Sequence, residues 1–261
     1  MSISTSLLFD RATERMSALQ NRLSTTQAQL TESKQVLNPS DAPDQAAAVQ
    51  RLRGEIDRQD AHTKILDVAT ARFQSEEVAL TSATDLLTRL KELSIQAAND
   101  TLGPADRKSV AVEMKSLRQQ LLDLSNSKDD SGNFLFSGTR VKSQAFVEQA
   151  DGSVQYMGDQ SQTRIPAGVE RTVAYTRSGT DVFSPPQRTQ ANGSTASVGF
   201  FQAIDDLVKA VETSDTTNIQ RGLGEVSQMH NSLTMALAKS GSDQSVVQSQ
   251  KDMLSETTLR L

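Results

Sequence analysis

Two carboxylate pairs, two histidines, an acidic turn and a few glycines are the residues of this chain that could do chemistry. Asp10 and Glu14 stand four apart, on one face of any helix through them, and Glu76 and Glu77 are adjacent. An acid/base pair needs convergent carboxylates held in different environments. Both pairs read instead as solvated carboxylates. Asp129-Asp130 with Asn133 offers oxygen donors, but the rest of a calcium loop is missing, so the stretch reads as a turn. His62 has no second His or Cys at metal-ligand spacing, and His230 falls on an apolar stripe, where a packed imidazole is expected. Gly138, Gly152 and Gly158 do not make a phosphate loop. Asn192-Gly193-Ser194 matches a glycosylation acceptor, a pattern that arises easily by chance. There is no cysteine, which excludes disulfides, thiolate catalysis and Cys-ligated metals. The expectation is a chain that is not an enzyme and takes no cofactor or metal.

What organises the chain is periodicity. Phe9, Ala12, Met16, Leu19, Leu23, Thr26, Leu30, Ser33 and Leu37 follow a strict three-four alternation, the seam of a coiled coil. A lone helix cannot bury such a stripe. Its larger apolar members, Phe9, Met16, Leu19, Leu23, Leu30 and Leu37, are the candidate assembly seam. The stripe ends at Asn38-Pro39-Ser40-Asp41-Ala42-Pro43, where two prolines prevent a continuous helix.

From residue 44 to about 99 there is no proline and one glycine, Gly54. A helix of that length reaches about 80 Å. One series runs Ile65, Ala69, Arg72, Glu76, Ala79, Ala83, Leu86, Leu90, Leu93, Ala97. A second stripe, Leu66, Phe73, Leu80, Leu87, lies beside it. Two stripes mean more than one neighbour, as in a bundle. Arg72 and Glu76 interrupt the first series, so packing there is expected to be local or edge-exposed. After the reversal at residues 99–104, a helix carrying Val110, Met114, Leu117, Leu121 and Leu124 folds back as an antiparallel hairpin.

The texture then changes to short strands: residues 146–148 and 154–156 around Asp151-Gly152, then 163–165 and 171–175, closed by Ser184-Pro185-Pro186 and a polar linker to about residue 195. Helix returns at Val198. The last helix repeats the three-four series through Ile219, Leu223, Val226, His230, Leu233 and Leu237, and weakens at Ser240-Gly241-Ser242. The fold expected is mainly α: an elongated antiparallel helical bundle with a small β-rich insertion at its far end and a terminal coiled-coil segment. Its parts are residues 1–43, a rod of 44–140 plus 195–261, and an insertion of 141–194. The bundle core is expected to include Leu66, Phe73, Leu80, Leu87, Leu90, Leu117, Leu121, Leu223, Leu233 and Leu237.

Composition agrees with a thin bundle. Hydrophobic residues are 36% and, with the 13 glycines, about 41%, below the roughly 45–50% of a thick globular core. A net charge of −5 with interspersed signs argues against a nucleic-acid surface. Apolar runs of only a few residues argue against membrane insertion. Residues 1–8 lack the pattern of a cleaved secretory signal.

Five stretches carry a family resemblance: Met1-Ser2-Ile3-Ser4-Thr5, Val36-Leu37-Asn38-Pro39-Ser40-Asp41-Ala42-Pro43, the run from Glu92 to Leu102, Asp106-Arg107, and Gly132-Asn133-Phe134-Leu135-Phe136-Ser137-Gly138-Thr139. In this order, over residues 1–146, they resemble the flagellin superfamily. The Asn-Pro-Ser-Asp-x-Pro form is similar to its hook–filament junction members. The resemblance implies a structural part of the bacterial flagellum, exported through the type III apparatus to an extracellular position. It implies self-association into a ring or helical assembly, with a neighbouring hook-associated protein, flagellin and an export chaperone as partners. It implies chain ends that are disordered in the monomer and form coiled coils on assembly. It also implies a further terminal helix beyond the position of Leu261. A minor flagellin, or an intracellular coiled-coil adaptor using the same heptads, is the alternative.

Overall fold

The computed structural model describes residues 3–32, 43–99, 102–168, 170–190 and 193–260. The chain falls into two compact units, Met1–Ala61 with Thr258–Leu261, and His62–Thr257. The first contains α1 (Ile3–Glu32) and the opening turns of α2 (Pro43–Ala97). No Gly or Pro falls within α1, and the Thr13, Thr25, Thr26 and Thr31 hydroxyls donate back to carbonyls four residues earlier.

The second unit is built on the rest of α2, α3 (Pro104–Ser125), α5 (Phe200–Glu212) and α6 (Thr216–Thr258). Pro104 takes the first position of α3, where its missing N–H is no loss, and Asp106 sits at the positive end of the dipole. Arg107 is buried and donates to the Asn99 carbonyl, closing the reversal between α2 and α3. The pairs Arg89–Glu113, Lys115–Glu212 and Lys251–Asp67 mark antiparallel neighbours α2/α3, α3/α5 and α6/α2. Between them lies the main core, with Leu80, Leu87, Leu90, Met114, Leu121, Ile204, Ile219 and Leu233 buried. Gly222 lets α6 approach α5: a Cβ there would lie 2.7 Å from Leu207 Cδ1.

The α5–α6 turn is tight. Ser214 takes φ of 58°, and the Asp215 carboxylate accepts from the Asn218 N–H at 3.1 Å to cap α6. Ser214 is exposed, and the left-handed region is costly for any residue with a Cβ. Ser214→Gly is expected to stabilise the fold by about 0.5–1 kcal/mol, read as a higher urea midpoint at unchanged m-value.

Among the described residues, the insertion forms three separate two-stranded antiparallel hairpins. In the first, β1 (Phe146–Glu148) pairs with β2 (Val154–Tyr156), Phe146 opposite Tyr156, and Gly152 turns at φ of 83°. In the second, β3 (Arg164–Pro166) pairs with β4 (Thr172–Ala174). A short α4 (Gly179–Val182), capped by Ser178, follows. The third hairpin, β5 (Gln187–Thr189) with β6 (Thr195–Ser197), occupies the stretch that reads as a polar linker. Its strands lack apolar alternation because tertiary ion pairs hold it: Arg188 meets Asp206 of α5 and Glu225 of α6.

Aromatic rings fasten the insertion to the helices. Phe136, Phe146, Phe183, Phe200 and Phe201 meet edge to face, with centroids 5.3–5.6 Å apart. A second, smaller core joins Leu66, Ala69 and Phe73 of α2 to Ala167 and Val173 of the second hairpin and Val247 of α6. So β3–β4 lies beyond the four-helix section, alongside the continuing α2/α6 pair.

Candidate assembly surface and the charged layer

The seam of α1 is bare. Phe9 and Leu30 are 76% and 75% exposed, and Met16, Leu19 and Leu23 exceed 60%. Leu37 lies outside the described residues. Phe9, Met16, Leu23 and Leu30 recur every seven residues, so in α1 they stand along one side of the helix. Burying such a side chain fully is worth about 1.5–3 kcal/mol, and here that gain is not taken.

The expected bundle residues sit inside the second unit. Leu66, Phe73, Leu80, Leu87, Leu90, Leu121 and Leu233 are fully buried and Leu117 nearly so, whereas Leu223 and Leu237 are half-buried. Leu66 and Phe73 belong to the smaller core.

Arg72 and Glu76 correct the reading of an exposed edge. Both are 2% exposed, and Glu76, unlike its neighbour Glu77, is no solvated carboxylate. The Arg72 guanidinium donates to Asp129 Oδ2 (2.6 Å), to the carbonyls of Phe134 (3.1 Å), Leu135 (3.0 Å) and Tyr175 (2.9 Å), and lies over the Tyr175 ring. One side chain of α2 therefore ties the loop after α3 (Asp129, Phe134, Leu135) to Tyr175 of the insertion. One turn later, Glu76 meets Arg177, which also pairs with Asp243 of α6 at 2.8 Å. The Arg72 charge is tolerated in the interior because one carboxylate and three carbonyls accept from it. Burial alone would raise Asp129, but the Asn133 backbone and side-chain amides and the Arg72 guanidinium hold its carboxyl below the usual range. For Glu76 desolvation prevails over Arg177 and Arg72, and its pKa is raised.

Arg118 of α3 plays a similar part, donating to Glu148 of β1 (2.9 Å), Asp205 of α5 and the Gly152 carbonyl (2.9 Å). These guanidiniums were not legible as ligands of the insertion. The one available signal was charge at seam positions 72 and 76 of an otherwise apolar series.

Asp129 does form the expected turn, accepting from the Ser131 and Asn133 N–H groups. His62 Nε2 lies 3.1 Å from the Pro166 carbonyl, and His230 is half-buried on α6. Among the described residues, no group of three His, Cys, Asp or Glu could hold a metal ion, and no helix is long and apolar enough to cross a membrane.

A bare three-four helix leading a helical bundle has a counterpart among known families. The bacterial flagellin N-terminal helical region matches residues 3–141, more than half of the chain. The chain belongs to the bacterial flagellin family. The flagellar hook-associated protein 3 of Escherichia coli (strain K12) is 27% identical over 188 residues, 71% of this chain and 58% of that protein. The chain thus spans less than two thirds of that relative's length. The crystal structure of FlgL from Xanthomonas campestris shares the fold with a TM-score of 0.69 at 20% identity, over 81% of this chain and 97% of that one. The flagellar junction protein FlgL from Legionella pneumophila does so at 0.58 and 18%, over 80% and 99%.

The flagellin match runs through α1, α2, α3 and the loop to residue 141, so it contains the bare seam and the Arg72–Asp129 clamp. The stretch Gly132 to Thr139 is the one whose carbonyls Arg72 holds, with Leu135 and Phe136 turned into the core.

Proposed function

We propose that this flagellin-family chain is a structural subunit of the bacterial flagellum, standing at the junction between hook and filament. The observation that carries the reading is the unburied seam of α1. Copies stack by pairing these seams with heptad helices of their neighbours, and a neighbouring hook-associated protein and flagellin bound the assembly above and below. The α1 segment, Ile3–Glu32, is loosely held in the free chain and docks as coiled coil on stacking, which couples its ordering entropy to polymerisation. Export through the flagellar type III apparatus, escorted by a chaperone, delivers the chain to an extracellular site. The role is structural rather than catalytic, and the commitment of Arg72 to Asp129, of Arg177 to Glu76 and Asp243, and of Arg118 to Glu148 supports it.

The relatives' names support the hook-associated assignment over a filament role. The test is deletion of the gene in its motile host. Hooks without filaments, with flagellin lost to the medium, are expected. Full-length filaments on the deletion strain would overturn the junction role, and long filaments grown from the purified chain alone would favour a minor flagellin.

A further inference from the structure

The core of the second unit is cut in two by charge. On one side lies the large helical core, on the other the small cluster of Leu66, Ala69, Phe73, Ala167, Val173 and Val247. Between them lie Arg72, Asp129, Glu76, Arg177 and Asp243, all but Asp243 less than a tenth exposed. Three carboxylates face two guanidiniums, so the fully ionised layer carries one net negative charge. The Tyr175 ring and the backbone of residues 134 and 135 cover the Arg72 side of this layer.

We propose that this layer is a proton-dependent latch: a proton on Glu76 makes it neutral and closes the small core, and loss of that proton lets the small core open as a unit. Glu76 is the site because its two rivals are better placed for charge. Asp129 accepts from Arg72 and from two backbone N–H groups, and Asp243 is the most open of the three. Glu76 is faced by Arg177, by Asp243 of α6 and by Arg72 of its own helix. Asp181 and Lys239 line the solvent cavity on the far side of Arg177 and offset one another. Desolvation favours the neutral acid at Glu76, in agreement with this assignment.

The sign follows from linkage. A carboxyl with a raised folded pKa binds its proton more tightly closed than open. Opening therefore releases a proton, and closure is strongest at low pH and lost as pH rises through the folded pKa. Within that window the opening equilibrium rises by up to about tenfold per pH unit. This inference does not rest on the flagellar assignment.

Hydrogen exchange followed by mass spectrometry, corrected for intrinsic rates, tests it on the whole chain across a pH series from 5 to 9. Peptides covering residues 63–73, 164–175 and 245–255 are expected to exchange faster toward the high end of the series, while 80–93 and 114–122 do not. Glu76→Gln, which carries the neutral form permanently, is expected to remove that dependence and keep these peptides protected throughout. An infrared carboxylic-acid band that fades over the same pH interval as protection is lost, and is absent from Glu76→Gln, completes the case. Equal pH dependence in wild type and Glu76→Gln, no pH dependence in either across the series, or lost protection in Glu76→Gln throughout would overturn it.

Discussion

Arg72→Met is expected to remove about 3–5 kcal/mol of folding stability, the range for taking one partner from a buried ion pair. Methionine fills much of the same volume, so packing is nearly preserved and the loss is electrostatic. Removing the guanidinium strands the Asp129 carboxylate and three carbonyls, those of Phe134, Leu135 and Tyr175. Carbonyls left without a donor in a dry site cost about 1–3 kcal/mol each when nothing relaxes. Asp129 keeps its Asn133 bonds and its path to solvent through the turn, so part of the loss is recovered. Urea denaturation measures the effect. The double variant Arg72→Met, Asp129→Asn should recover part of it, since the stranded charge is gone. A single-variant loss under about 1 kcal/mol would show that the clamp is ornamental and that the aromatic cluster alone holds the insertion.

The helices were legible because their information is local. Residues 44–99 carry no proline, their apolar positions keep the helical period, and the two stripes name the buried faces, so α2 follows directly. Asp151-Gly152 between short β-prone runs was enough for the first hairpin. The third hairpin was not legible. Gln187-Arg188-Thr189 and Thr195-Ala196-Ser197 have no apolar face, and what fixes them is Arg188 meeting carboxylates 18 and 37 residues away. The charged layer was hidden for the same reason. Arg72 at a seam position looks like an exposed edge until Asp129 and the carbonyls of two distant segments are brought to it. Periodicity encodes which face is apolar. It does not encode which polar side chain will find enough partners to be buried. The α1 seam shows the converse case: the stripe is plain in the sequence, and its exposure in the structure is what turns it from core into surface.

Leu19→Asp with Leu23→Asp is therefore expected to leave folding untouched and to abolish assembly. Both leucines are more than 60% exposed, so the unassembled chain has little to lose, within about 0.5 kcal/mol. On stacking, each wild-type leucine would bury what remains exposed. Taking that fraction of the roughly 1.5–3 kcal/mol for full burial, the pair contributes about 2–4 kcal/mol per contact. At about 1.4 kcal/mol per tenfold, this raises the concentration needed for association roughly 30- to 1,000-fold. Unpaired aspartates in an apolar seam add a desolvation penalty in the same direction. The matched control is Asn21→Asp with Ser24→Asp, which adds the same charge to α1 off the seam. Three measurements decide: the urea midpoint of each purified chain, sedimentation of each at assembling concentration, and recovery of each in flagella sheared from a complemented deletion strain. The seam variant should match the control in the first and fail in the other two. If the seam variant assembles as the control does, the bare stripe of α1 is not the surface through which copies join, and the subunit contact must be sought on the second unit.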